Sequence, residues 1–147
     1  MNEPIASILK NKGREIWSVA PDATVYEAIA LMAEKRVGAV LVISHGTLVG
    51  IVSERDYARK VILQGRSSKE TQAQQIMTST LVTVTSDDTV DECMRIMTQH
   101  RIRHLPVLDD GHLTGIVSIG DLVSAVISDQ AHTIRQLHTY IGSSYPV

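Results

Sequence analysis

The chain has 147 residues, 44% hydrophobic and 20% charged, the composition of a folded globular protein with one domain or two very small ones. A net charge of -2 disfavours an electropositive nucleic-acid binder, and the single cysteine, Cys93, excludes an internal disulfide framework or a cysteine-rich zinc site. Aromatics make up 3%, with no phenylalanine, so the core must come from aliphatic side chains, methionine and alanine.

In chain order, residues 3–11 read as a short helix with Pro4 in its first turn. A β-type run at 16–19 comes next. Asp22 and Thr24 then signal a helix start, and Val25, Ile29, Met32 and Val37 fall at roughly helical spacing. Residues 39–43 form an apolar strand, Ser44-His45-Gly46 a turn, and 48–52 a returning strand. A further helix starts at Ser53. Residues 65–72 are a polar linker, and 72–77 form a helical turn into a second set of elements. That set has a β-run at 81–84, helix signals at Asp87 and Thr89, strands at 105–108 and 113–117 around Asp109-Asp110-Gly111, and a helix from Ser118. Residues 128–141 read as a terminal helix with Ile134, Leu137 and Ile141 on one stripe, a packing or dimer surface.

The two sets are one repeated unit. Residues 16–62 align with 81–127 without a gap, and seventeen of the 47 pairs are identical. Gly50-Ile51-Val52-Ser53 returns as Gly115-Ile116-Val117-Ser118, and Asp56 returns as Asp121. Each unit is β-α-β-β-α, which makes the fold class α+β with α/β-type layers. A unit of this size buries too little surface alone, so the two copies are expected to pack together with pseudo-two-fold symmetry. The expected divisions are 1–71 (N-terminal helix plus first repeat), 72–127 (second repeat) and 128–147 (C-terminal helix and tail). No basic start leads into a long apolar run, and no stretch approaches the ~18 apolar residues of a spanning helix, so the cytoplasm is the expected location.

The repeated unit resembles the cystathionine-β-synthase-type (CBS) domain, and the chain resembles a stand-alone CBS pair over residues 1–127. The carrying motifs are Gly50-Ile-Val-Ser-Glu-Arg-Asp56, Gly115-Ile-Val-Ser-Ile-Gly-Asp121, Arg101-Ile-Arg-His-Leu-Pro-Val107 and Ile76-Met77-Thr78. The resemblance implies a non-catalytic energy- or redox-sensing regulator in signal transduction, commonly a homodimer, whose clefts bind an adenosine-containing nucleotide. NAD or AMP is favoured, with ATP or S-adenosylmethionine as alternatives.

Ser53-x-x-Asp56 and Ser118-x-x-Asp121 sit between a strand and a helix. Each can be a capping box, the Ser oxygen accepting a backbone N–H and the acid favouring the positive helix end. Each can also hold a ligand, because an ionised carboxylate can accept both hydroxyls of a ribose and the first helical turn can reach a phosphate. The resemblance puts the ribose on Asp56 and Asp121 and the phosphate side on Ser53 and Ser118. Arg101, Arg103 and His104 crowd one turn of the second copy, either as a solvated loop end or as an anion site. The first copy has Arg36, Gly38 and Ala39 there and gains Arg55, so the two clefts are expected to differ. By resemblance, Ile16 and Val40 wall one adenine pocket and Leu81 and Leu105 the other, although plain core residues fit the same pattern. Pro106 comes next at a strand start, where the first copy has Leu41. Thr78 is a candidate base or ribose contact for the second copy, and Lys12 its loose counterpart for the first.

Six histidines, five of them in the second half, give no shared helical face, and neither a metal site nor a catalytic residue is expected. The expected partners are an adenine nucleotide, a second copy and an unknown regulated protein, without nucleic acid or membrane. The alternative is an interaction module with vestigial clefts that docks a partner enzyme or transporter.

Overall fold

The computed structural model describes residues 2–144, with side chains through Thr139. The expected stripe residue Ile141 and the end of the expected tail lie outside the described side chains. The elements are α1 (Ile5–Lys12), β1 (Ser18–Val19), α2 (Val25–Lys35), β2 (Ala39–Ser44), β3 (Thr47–Ser53), α3 (Glu54–Tyr57), α4 (Ala73–Ile76), α5 (Val90–His100), β4 (His104–Asp109), β5 (His112–Ser118) and α6 (Ile119–Ser144). The mixed α+β class and the repeated order agree with the sequence. Among the described residues no helix is long and apolar enough to cross a membrane.

The described chain divides into two compact units. The first-repeat unit runs from Glu15 to Val82. In it β1 pairs parallel to β2, and β2 pairs antiparallel to β3. The hairpin turn uses His45 and Gly46 at φ 50° and 79°, the left-handed pair that a tight hairpin requires. Thr24 caps α2 in a reciprocal box with Glu27, each accepting the other's backbone N–H at 3.1 Å. Val25, Ala28 and Met32 fall on one face of α2 and join Val40, Val42, Val52, Val61 and Ile76 in a dry cluster. After α3 the backbone passes through a π-helical turn, Ala58–Ile62, and stops, with Gly65 at φ 67°.

The second-repeat unit combines the described residues up to Arg14 with those from Thr83 onward. β4 and β5 form the matching hairpin, turned by Asp110 and Gly111 at φ 51° and 77°. Thr89 caps α5, which buries Val90, Cys93 and Met97. The expected strand at 81–84 shrinks to one bridge, Val84 to Val107. Leu81 and Val82 still belong to the other unit, so little chain is left to run beside β4. The two helices expected after Ser118 are one, because neither glycine nor proline interrupts residues 121–141.

Two helices pack outside the divisions read from the sequence. The sequence groups the N-terminal helix with the first repeat, but α1 packs in the second-repeat unit. It also has α4 lead the second repeat, but α4 packs on β3 of the first. Backbone bonds tie α1 down: Ile5 N donates to Asp88 O at 2.8 Å, and Val90 N donates to Glu3 O at 2.9 Å. The strand glycines make the room. A Cβ on Gly115 would lie 2.8 Å from Leu9 Cδ2 of α1, and one on Gly50 would overlap Met77 Sδ, just past α4.

Gly50→Ala is therefore expected to destabilise the protein by about 1–3 kcal/mol, as overpacking does. Adding Met77→Ala should recover part of that loss. Urea unfolding of the two single variants and the double variant measures both effects.

Candidate functional site

In the second-repeat unit β5 delivers Ser118 to the start of α6. Ser118 Oγ accepts the Asp121 N–H at 3.1 Å, and Asp121 Oδ2 accepts the Ser118 N–H at 2.8 Å. The capping reading is thus realised in full, with the carboxylate at the positive helix end. The hairpin register sets His104 opposite Ser118, and Ile119 N donates to Arg103 O at 2.8 Å. Backbone pairing brings residues 103, 104 and 118 together, and the cap adds Asp121. Lys12, the last residue of α1, completes the group: its Nζ donates to Ile116 O at 2.9 Å and forms an ion pair with Asp121 Oδ2. Both side chains remain partly open, at 31% and 23% exposure.

His104 is the perturbed group. Burial pushes its imidazole from 6.5 down to about 4, helped by the charges of Lys12 and Arg103 and opposed by that of Asp121. It is neutral at pH 7 and a weak base.

The first-repeat turn repeats the cap and changes the charges. Asp56 Oδ2 accepts the Ser53 N–H at 2.9 Å and the Ser53 hydroxyl at 3.1 Å. Asp56 Oδ1 pairs with Lys60 at 3.2 Å, and Lys60 Nζ also donates to Ile76 O at 2.8 Å. Gly38 and Ala39 hold the places of Arg103 and His104: Glu54 N donates to Gly38 O, and Ala39 pairs with Ser53. Arg55 is half-buried within the turn. Lys60, a cation that the sequence places on the helix after this turn, stands four residues after Asp56, a spacing that suits the pair.

The remaining candidates separate. Thr78 exchanges both backbone bonds with Ile51, at 2.9 and 3.1 Å, so Thr78 and Leu81 belong to the first-repeat unit rather than with Leu105. Lys12 makes the opposite move, away from the first repeat. Ile16 is half-buried in the same unit as Val40. Val40 and Leu105 are fully buried, and Ala39 and Pro106 are buried beside them, so all four serve their unit's interior. Arg101 caps α5 at φ 55°, as Arg36 caps α2 at φ 56°, a shared left-handed position that gives both a backbone role. Burial, then Asp88 and Glu92, raises the Cys93 thiol to about 12, an unreactive form. Among the described residues no group of three His, Cys, Asp or Glu side chains could hold a metal.

Between pH 6.5 and 4 the unfolded chain binds a proton at residue 104 that the folded chain does not. The contribution of this group is therefore complete above about pH 6.5 and is lost as the pH drops towards 4, by on the order of 3 kcal/mol. His104→Asn should flatten this slope in urea unfolding measured across that range.

Both repeats match the CBS domain family, at residues 7–62 and 73–128. The chain is 42% identical to the CBS domain-containing protein CBSX3, mitochondrial, of Arabidopsis thaliana, over 96% of this chain and 73% of that one. A solved CBS-domain protein from Burkholderia ambifaria is 55% identical, with a TM-score of 0.84 over 86% of this chain and 96% of that one. The fold is also that of the CBS domain pair of protein MJ0100, solved with 5′-methylthioadenosine and S-adenosyl-L-methionine, at 24% identity, a TM-score of 0.76 and coverage of 88% and 99%. Each match contains one of the two capped turns, and the chain belongs to the CBS-domain proteins, with two CBS domains in tandem.

Proposed function

We propose that this protein is a non-catalytic regulatory module that responds to an adenine nucleotide, AMP or NAD before ATP or S-adenosylmethionine. The observation that carries the reading is the second-repeat turn, where a capped carboxylate, a lysine, an arginine and a neutral histidine meet at the start of a long helix. Asp121 would accept the ribose hydroxyls, and Ser118, Arg103 and His104 would face the phosphate. That MJ0100 binds adenosine compounds in the same fold supports the ligand class. A weakly basic His104 favours binding over proton-transfer chemistry. Ser53, Asp56 and Arg55 would form a second, inequivalent site. Signalling requires that the ligand bind one arrangement of the protein better than another.

A homodimer in the cytoplasm is part of the proposal, supported by the exposed apolar stripe Val123, Ile127, Ile134 and Leu137 along α6. The same stripe favours the second reading, a module that docks an unidentified regulated protein.

Thermal unfolding against AMP, NAD, ATP and S-adenosylmethionine, with GTP as control, tests the proposal. A ligand at about 100 times its Kd adds about 2.7 kcal/mol, which should raise Tm by roughly 5–10 °C. Asp121→Ala should abolish the shift while the protein still unfolds cooperatively. A flat response of the folded protein to every nucleotide would replace the sensor with the docking module.

A further inference from the structure

We infer that Lys12 makes the second-repeat turn selective for anionic adenine nucleotides: it neutralises Asp121 in the free protein and moves onto the phosphate when one binds. The inference rests on the proposal that this turn holds an adenine nucleotide, and it adds the ligand's required charge.

Asp121 Oδ2 already accepts from the Ser118 N–H and from Lys12. A ribose that comes to this carboxylate competes with the lysine, whereas the cap needs only the backbone bond. Lys12 can yield. It ends α1, Gly13 comes after it at φ 98° with open space around it, and the ammonium sits on a flexible four-carbon stem. What happens to the displaced charge decides the ligand. Around this turn α1 supplies Lys12, the loop after α5 supplies Arg103, β4 supplies a neutral His104 and α6 supplies Asp121. Lys12 therefore faces the carboxylate, with the charge of Arg103 close enough to act on His104. Once ribose hydroxyls take the carboxylate, Lys12 needs an anion, and a phosphate provides it through a charge-assisted hydrogen bond. A neutral nucleoside takes Lys12's partner and offers none in return. S-adenosylmethionine brings a sulfonium and an ammonium against a single carboxylate, a net positive charge.

The first-repeat turn is not built this way. Lys60 sits on the same continuous segment as Asp56, four residues on, and is held by Ile76 O as well. Glycine and alanine stand where Arg103 and His104 stand in the second repeat. The selectivity therefore belongs to the second repeat, although its key residue comes from a helix outside both repeated segments.

Calorimetric titration of the full chain with AMP, adenosine and S-adenosylmethionine, before and after Lys12→Gln, tests this. The wild type should prefer AMP over the other two by about tenfold or more. Lys12→Gln should weaken AMP by a similar factor and leave adenosine equal or tighter, because Asp121 is released. Equal losses for AMP and adenosine would make Lys12 merely structural and overturn the inference, as would an unchanged AMP affinity. If the wild type binds adenosine or S-adenosylmethionine as tightly as AMP, the selectivity fails while the nucleotide reading stands. If it binds none of the three, the inference fails, and the thermal response to NAD and ATP decides the nucleotide reading separately.

Discussion

The close approach of a side chain to a bare strand backbone organises each of the two units. Gly115 leaves space that Leu9 fills, and Gly50 leaves space that Met77 fills. Each glycine opens the Gly-Ile-Val-Ser run that leads to its Ser-x-x-Asp turn. Any Cβ there would force the visiting side chain away, so the repeated glycine reflects close packing at a point where the chain has no other reason to avoid alanine. The visitors come from segments that precede the opposite repeat in sequence. Each repeat is thus finished by a piece of chain from outside its own 47 aligned residues.

That exchange also sets the electrostatics. α1 brings Lys12 to Asp121, and α4 ends with the Ile76 carbonyl that holds Lys60 beside Asp56. Both carboxylates meet a lysine, but the two lysines occupy unrelated positions. Equal backbone geometry therefore carries unequal charge. The second turn has a lysine brought by a separate helix, together with an arginine and a half-buried neutral imidazole. The first has an ion pair within one short helical segment. Partial exposure limits what either pair contributes to stability.

The repeat, the hairpins and both capping turns are legible in the sequence, because each depends on residues within a few positions of one another. His45-Gly46 and Asp110-Gly111 announce their turns, and Thr24 and Thr89 their helices. Tertiary placement is less readable. Lys12 lies 109 residues from Asp121, and no local pattern links them. Sequence order groups Thr78 and Leu81 with the second repeat, yet backbone pairing with Ile51 holds Thr78 to the other unit. Arg101 stands out in the sequence for its charge, while its left-handed backbone gives it a structural duty. Val40 and Leu105 fit a pocket wall and a core position equally in the sequence, and both are fully buried.

Everything proposed for recognition turns on Asp121 serving the ribose once Lys12 has passed to the phosphate. A crystal structure of the full chain with AMP would show this at the atoms concerned. Ribose hydroxyls should lie within hydrogen-bond distance of Asp121, with Lys12 Nζ on a phosphate oxygen and the Ser118 N–H still held by the carboxylate. AMP bound elsewhere, or bound here with Lys12 still on Asp121, would contradict it.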